Sequence, residues 1–281
     1  RSSLLSPLVD QGRVFAPCSD GHLYARRLAD GSALWDLQTD GADQASPILS
    51  GGVLYISSGF PNTKVMAVNP STGAVVWNFP VDQITNSSPA VSGGRVLAAC
   101  NSGRLYSINA ATGAQVWSIV LGGTVGSSSP LVDGTNVFLQ SDATLYRTAL
   151  DNANWGTNAS RVVVDPAPPA PGAPAQTLGI DWATSSVIRV GSRILGVVRF
   201  DYRMDMNGDF LADSRIMREI AFGIDAAAMT VDWRTLLATA TVADLNGVPP
   251  YRLVPTPVNL GTRVAFASSL ASTVQLFDSS D

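Results

Sequence analysis

The sequence is poor in the side chains that most reactive protein sites use. Its 281 residues include two cysteines, Cys18 and Cys100, and one histidine, His22. Zinc sites and covalent haem attachment need groups of cysteine and histidine, so neither has a ligand set here. A Ser-His-Asp triad would depend on His22 alone.

Charge is also scarce. Charged residues make up 14% of the chain, the formal net charge is −4, and Lys64 and Glu219 are the only lysine and the only glutamate. This balance does not favour binding to nucleic acids or anionic membranes. No run of 18 apolar residues occurs, so no transmembrane helix is expected. The shortage of lysine and glutamate also argues against long exposed helices.

A period close to 40 residues runs through the chain. Ser-Pro pairs begin at Ser6, Ser46, Ser88 and Ser129, with spacings of 40, 42 and 41 residues. Degenerate openings near residues 186 and 256 bring the number of copies to six. Periods of this size are typical of propellers and other repeat arrays.

Each copy reads as a meander of about four short antiparallel strands, most clearly in Ser88–Trp117. The apolar segments Val96–Ala99 and Leu105–Ile108 predict strands. Gly93-Gly94 and Thr112-Gly113 predict two of the turns.

A tryptophan recurs eleven residues after an aromatic or methionine residue. The pairs are Tyr24 and Trp35, Met66 and Trp77, Tyr106 and Trp117, and Phe222 and Trp233, with a contracted version at Tyr146 and Trp155. One large aromatic at a fixed position per copy requires a repeated pocket, which four-stranded sheets packed face to face provide.

The cysteines occupy matching places in two non-adjacent copies. Such positions should lie farther apart than the roughly 7 Å that a disulfide allows between Cα atoms, so both are expected to be buried free thiols. His22 aligns with Arg104 and Thr144 of other copies, which indicates a polar, outward position.

The pattern SPxVxxGxVYxxSxDGxLYAxxxxTGxxxW resembles the pyrroloquinoline-quinone-type (PQQ-type) repeat and covers about 200 residues, best in Ser46–Trp77 and Ser88–Trp117. The resemblance implies an all-β propeller with four-stranded antiparallel blades, six or seven in number, forming one domain over residues 1–281. It also implies that the recurring tryptophans dock neighbouring blades. The last copy stops before its Trp strand. Residues outside this sequence are expected to complete it, and the alternative is a ring that stays open at one outer edge.

The resemblance to the PQQ-type repeat does not imply that this chain binds the quinone cofactor. Quinone dehydrogenases of the family have a vicinal cysteine pair and Ca²⁺-coordinating Glu, Asn and Asp, whereas this chain has no adjacent cysteines, and Glu219 is expected in an inter-strand segment. Non-catalytic relatives act as scaffolds in the cell envelope. The expected function is therefore an extracytoplasmic scaffold for protein partners, without catalytic or quinone-binding residues. The alternatives are a PQQ-dependent oxidoreductase and a carbohydrate-binding propeller, for which Trp182 is the best exposed-aromatic candidate.

A first insertion, near residues 156–184, interrupts the repeat. Its segment Asp165–Gln176 is rich in proline, which favours extended conformations and excludes a central strand. It is either an arm that reaches a partner or a long connector. Val162–Val164, just before it, would suit an added edge strand.

A second insertion, DYRMDMNGDFLAD at Asp201–Asp213, is acidic. Four oxygen-bearing side chains and one backbone carbonyl have the spacing of a Ca²⁺ loop; they belong to Asp205, Asn207, Asp209, Asp213 and, for the carbonyl, Leu211. The loop resembles those of FG-GAP repeats and of pilus-tip adhesins, but Phe210 replaces the usual glycine. The alternative is an Asp/Asn-rich hairpin loop without metal. A weak Ca²⁺ site would suit an extracytoplasmic location.

Overall fold

A computed structural model of the chain describes residues 6–39, 41–43, 45–83, 85–151, 160–164, 176–205, 214–242, 254–271 and 273–278. These residues form 25 β-strands, and no helix occurs among them. In this part of the chain, the expectation that long helices are absent is confirmed. No helix here has the length and apolar composition of a membrane span.

The first three sheets lie in the first half of the chain. The first consists of β1 to β4 in that order, at Leu8–Asp10, Arg13–Cys18, His22–Arg27 and Ala33–Gln38. The second has the order β5-β7-β8-β9 with β6 also paired to β7, where β5 to β9 are Gly41–Asp43, Ile48–Ser50, Val53–Pro61, Lys64–Val68 and Val75–Pro80. The third consists of β10 to β13 in order, at Ala90–Ser92, Arg95–Ala99, Arg104–Asn109 and Gln115–Val120.

Three further sheets follow. The fourth consists of β14 to β17 in order, at Leu131–Asp133, Asn136–Ser141, Thr144–Ala149 and Ser160–Val163. The fifth has the order β18-β20-β21-β22 with β19 also paired to β20, where β18 to β22 are Gln176–Thr184, Ile188–Val190, Arg193–Asp205, Ser214–Asp225 and Thr230–Val242. The sixth consists of β23 to β25 in order, at Val258–Asn259, Arg263–Ala267 and Val274–Asp278.

The third sheet shows how the repeat sequence produces these strands. β11 and β12 contain the two apolar segments that predicted strands, and they pair antiparallel from Arg95 to Asn109. Gly93 and Gly94 form the preceding turn at φ values of 55° and 71°, a backbone region that glycine adopts without steric cost. The side chain of Asn109 accepts the N–H groups of the next turn and so directs the chain into β13.

The fold class is therefore the predicted all-β propeller of antiparallel blades. Two sheets carry one strand more than the expected four, and three strands of the sixth lie within the described residues. By its internal contacts the chain divides into two compact units, residues 1–137 with 148–159 and residues 138–147 with 160–281. The expectation of a single domain remains a prediction.

In the first unit, neighbouring sheets pack face to face. Phe15 of the first sheet shares an apolar cluster with Leu54 of the second. The next residue of the second sheet, Tyr55, lies in another cluster with Trp77 and with Val96 of the third sheet. Successive residues of a strand point to opposite faces, so the second sheet is buried on both sides. Double-sided burial explains the uninterrupted apolar runs at residues 53–56 of β7 and 65–68 of β8.

The second unit has its own core. Val197 and Leu237 of the fifth sheet share a cluster with Val264 and Phe266 of the sixth sheet. Phe200 and Tyr202, farther along β20, are also fully buried and their rings stack at 6.2 Å.

The fifth sheet differs most from the sequence-based expectation. The acidic insertion was expected to be a loop over residues 201–213, but residues 201–205 continue β20, which is 13 residues long. Glu219 lies within β21 rather than between strands. Part of the Pro-rich insertion also joins the sheet, because Gln176–Thr184 is β18 and pairs with β20. Apolar residues on one face of the lengthened strands, Phe200 and Tyr202 among them, favour sheet over loop.

Candidate functional site

The opening serines connect consecutive sheets of the first unit. The backbone N–H of Ser6 donates to the Oγ of Ser46 at 3.2 Å. Ser46 donates in the same way to Ser88, and Ser88 to Ser129, both at 3.0 Å. The recurring serine is thus explained by intersheet contact. Its hydroxyl oxygen accepts a backbone hydrogen bond from the preceding sheet.

Tryptophans on the outermost strands dock the first sheets to the next. The indole Nε1 of Trp35 donates to the carbonyl of Pro70 at 3.1 Å, that of Trp77 to Ala110 at 2.9 Å, and that of Trp117 to Leu150 at 3.1 Å. In each case the acceptor follows the third main strand of the next sheet. The docking role implied for these three tryptophans is confirmed.

The glycine of the Thr-Gly turn completes the tryptophan pocket. A Cβ on Gly73 would come within 2.8 Å of the Trp35 ring, and one on Gly113 within 2.8 Å of the Trp77 ring. Both glycines have φ values above 70°. The repeated Thr-Gly is therefore required by the preceding sheet's tryptophan as well as by its own turn.

The fourth sheet docks through an arginine. The outer strand of this sheet is β17, which begins at Ser160. The outer strand was expected around Trp155, so the observed strand lies later in the sequence. Trp155 itself is outside the described residues. Arg147 pairs with Ser160, in the place where other sheets pair a small residue with tryptophan. Its Nη1 donates to the carbonyls of Ala226 and Ala227 at 2.8 Å each, and its Nη2 to the Oγ of Ser160 at 3.0 Å. Ala226 follows β21, as Ala110 follows β12.

In the fifth sheet, Trp233 contacts two phenylalanines of the sixth. Its ring stacks on Phe277 at 5.7 Å and meets Phe266 edge-on at 5.8 Å. The predicted docking position is confirmed, but the buried Nε1 has no hydrogen-bond partner in the structure.

A buried charged cluster joins the same two sheets. Glu219 is fully buried. It accepts hydrogen bonds from the Ser268 hydroxyl at 2.7 Å, from the Ser269 N–H at 3.1 Å and from the Ser269 hydroxyl. Arg199 lies directly opposite Glu219 in the β20–β21 register and its Nη1 is 3.5 Å from the Ser269 hydroxyl. The chain's only glutamate therefore holds the turn between β24 and β25.

A partly buried ion pair lies on the same face of the sheet. Arg215 donates from Nε to Asp201 at 2.9 Å and from Nη2 to the other carboxylate oxygen. The carboxylates of Glu219 and Asp201 each accept more than one hydrogen bond from neighbouring strands or turns. Among the described residues, no group of His, Cys, Asp and Glu is arranged to hold a metal ion.

Of the predicted calcium residues, the structure describes only Asp205. Asp205 is the last residue of β20, and Met204 pairs with Ser214 across the hairpin. Asn207, Asp209, Leu211 and Asp213 lie outside the described residues, so the calcium site remains a prediction. Trp182, the aromatic residue considered for carbohydrate binding, is part of β18, where its backbone pairs with that of Phe200.

Both cysteines are free thiols, and only Cys100 is fully buried. Burial, with the Asp82 carboxylate nearby, raises the pKa of the Cys100 thiol to about 12, so it is not a nucleophile at neutral pH. The expectation of burial is only partly right for Cys18. His22 is likewise only partly exposed, because its ring stacks on Tyr24 at 5.7 Å.

Exposed apolar side chains concentrate on the outermost strands of the sheets. They include Leu34 on β4, Val75 and Val76 on β9, Val116 and Val120 on β13, Val163 on β17, Leu236 on β22, and Val274 and Leu276 on β25.

Sequence reasoning did not find Arg147 or the Glu219 cluster. The sequence did contain a signal for Arg147, because earlier copies have a small residue at the equivalent position: Ala25, Ala67 and Ser107. No comparable signal marked the Glu219 partners, since Ser268 and Ser269 lie about 50 residues away.

Comparison with known proteins gives one family and a set of structural neighbours. The family model described as outer membrane protein assembly factor BamB matches residues 1–152 and 61–198. The crystal structure of BamB from Moraxella catarrhalis is similar with a TM-score of 0.59 and 16% identity, over 98% of this chain and 84% of that chain. Quinohemoprotein alcohol dehydrogenase ADHIIG from Pseudomonas putida HK5 is similar with a TM-score of 0.61 and 12% identity, over 94% of this chain and 55% of that one. No curated protein matches the sequence.

Proposed function

The chain belongs to the PQQ-like repeat family described as outer membrane protein assembly factor BamB, and from this premise we propose that it is a non-catalytic scaffold. It binds protein partners within an extracytoplasmic, cell-envelope assembly. Support for the extracytoplasmic location comes from the family description, which names the outer membrane.

The observation that carries this proposal is the set of apolar residues on the outermost strands. Val76 and Val120 are 55% and 58% exposed, although each lies in a regular strand of the first unit. Their strands form sheet edges, which offer backbone groups as well as apolar side chains to another protein. The buried charged groups, in contrast, have internal structural partners.

Site-specific photocrosslinking in the native host tests the scaffold function. A photoreactive residue at position 76 or 120 is expected to give discrete adducts with envelope proteins. The matched control is position 111, where Ala111 is exposed in a turn of the same unit. Adducts that are equally abundant at all three positions, or absent at all three, would contradict the proposal.

The second candidate function is PQQ-dependent oxidation, because a quinohemoprotein dehydrogenase shares the fold. Equilibrium dialysis with PQQ and Ca²⁺, followed by quinone absorbance, separates the two functions. A scaffold retains no quinone after dialysis. Stoichiometric retention would favour the oxidoreductase.

We also propose that residues 205–213 bind a structural Ca²⁺ ion. Support comes from the D-x-N-x-D-x-x-x-D spacing and from its position between the paired ends of two long strands. Isothermal titration with Ca²⁺ should give a saturable heat for the unmodified protein and for an Asp151→Ala control, and none for Asp209→Ala. Equal heats in all three proteins would rule out the loop as the binding site.

A further inference from the structure

The central strand β21 of the fifth sheet places one arginine on an apolar face. Arg218 pairs with Phe200 of β20 on one side and with Thr239 of β22 on the other, so these three side chains share a face. Phe200 is fully buried, and so are the neighbours of Arg218 on the same face of β21, Ile216 and Ile220. Thr239 is exposed. Arg218 therefore lies at the border between an apolar interior and the solvent-facing outer strand.

The guanidinium of Arg218 has no counter-charge. Its Nε is buried, and within the part of the chain that the structure describes it has no hydrogen-bond partner. The carboxylates of the same sheet cannot supply one. Glu219 is the next residue of the strand, and Asp201 pairs with the preceding one, so both lie on the opposite face. There they meet Arg199 and Arg215.

An arginine in this position is costly for the folded protein. A charged group that is partly removed from water loses hydration, and only a partner of opposite charge or a set of hydrogen bonds compensates for the loss. The side chain of Arg218 has neither in the free protein. Its position is explained if the compensating group arrives with a ligand.

The chemistry of the site indicates which ligand fits. A guanidinium presents its N–H donors in a planar fork that matches a carboxylate with two parallel hydrogen bonds. One guanidinium balances one negative charge, so a monovalent carboxylate fits better than a phosphate dianion. The exposed position of Thr239 beside Arg218 leaves an approach from solvent.

We propose that Arg218 is the anchor of a carboxylate-binding site on this face of the fifth sheet. The carboxylate belongs either to a free small molecule or to an acidic side chain of a protein. The site is separate from the apolar outer-strand residues that carry the scaffold proposal and does not depend on them.

Nuclear magnetic resonance of the arginine Nε–H groups tests the site directly. Acetate replaces chloride at constant ionic strength, and the Arg218 signal, assigned by its loss in Arg218→Lys, should shift in a saturable way. The Arg215 signal is the internal control, because its Nε already donates to Asp201, and it should not shift. Acetate affinity, measured by competition on other shifted signals, should fall about tenfold in Arg218→Lys, which keeps the charge but loses the planar fork.

A second probe distinguishes the two sources of carboxylate. It is a capped five-residue glycine peptide with a central glutamate, and its control has glutamine in that place. Saturable shifts with acetate alone would assign the site to small carboxylates. Tighter binding of the glutamate peptide than of acetate would assign it to acidic side chains of proteins. The absence of a saturable Arg218 shift with both probes would overturn the proposal.

Stability measurements supply an independent test. In chloride buffer, Arg218→Met removes an unpaired cation and should raise the urea midpoint, whereas Arg215→Met leaves Asp201 without its partner and should lower it. Acetate should raise the midpoint of the unmodified protein and not that of Arg218→Met. A lower midpoint in Arg218→Met would show that the guanidinium already has a partner within the chain. That result, or equal stabilisation of both proteins by acetate, would contradict the site.

Discussion

Replacing Arg147 with alanine should weaken the contact between the fourth-sheet residues of the second unit and the fifth sheet. The guanidinium donates to two carbonyls at 2.8 Å, and one acceptor, that of Ala226, belongs to a buried residue. Hydrogen bonds from a charged donor contribute about 1.5–3 kcal/mol each, and partial exposure favours the lower value. Two such bonds at about 1.5 kcal/mol each give a loss of about 3 kcal/mol in unfolding free energy, which should lower Tm by about 6–12 °C.

Because Arg147 pairs with Ser160, substitutions at both positions test the docking role more directly than Arg147→Ala alone. In other sheets the large side chain lies on the outer strand, opposite a small residue. Ser160→Trp alone places two large side chains opposite each other and should also destabilise the protein. The double variant Arg147→Ala with Ser160→Trp restores the arrangement of the first three sheets, in which the indole donates to the carbonyl. It should be more stable than either single variant.

Urea unfolding of the four proteins, followed by circular dichroism, measures the coupling between the two positions. The expected coupling is at least about 1 kcal/mol in favour of the double variant. Additive single effects would refute the exchange of docking roles. A change below about 0.5 kcal/mol in Arg147→Ala would show that the guanidinium is a surface group without structural importance.

Three further predictions concern the repeat. The variant Gly113→Ala should lower the unfolding free energy by more than about 1 kcal/mol in thermal unfolding, because φ is +73° and the new Cβ meets the Trp77 ring. The control is Gly12→Ala, which has a similar positive φ but open space around its Cβ, so the difference between the two variants measures the ring contact apart from backbone strain. Ser88→Ala removes the acceptor of the Ser46 N–H and should lose about 1 kcal/mol in urea unfolding, with Ser88→Thr closer to the unmodified protein. Folding raises the pKa of Cys100 from 9.0 to about 12, so its contribution to stability is present below pH 9 and is lost toward pH 12. Thiol titration at pH 8 should therefore label Cys18 alone, and labelling of both thiols in folded protein would contradict the burial.

Most of the fold could be predicted from the sequence because its signals are local and repeated. The alternation around Val96 and Leu105, the paired glycines and the Thr-Gly turns each act within a few residues. The tryptophan spacing extended this reasoning to neighbouring sheets. The lengths of β20 to β22 could not be read in the same way, since the repeat template offered no counterpart for the added residues.

The candidate site was less predictable. The acidic spacing from Asp205 to Asp213 is a sequence signal, and it remains a prediction. The Glu219 cluster could not be predicted, because a carboxylate becomes structural only when particular donors surround it. Those donors, Ser268 and Ser269, come from another sheet.

The sequence by itself determined the repeat, the strands within each copy and the residues that dock one sheet on the next. These depend on short-range pairing and on a period that every copy shares. Only the tertiary structure decided where the repeat is altered. It identified Arg147 as the replacement for a docking tryptophan and Glu219 as the anchor of the turn between β24 and β25. Each of these depends on which side chains from distant copies meet across a sheet interface, and this is set by packing rather than by local sequence.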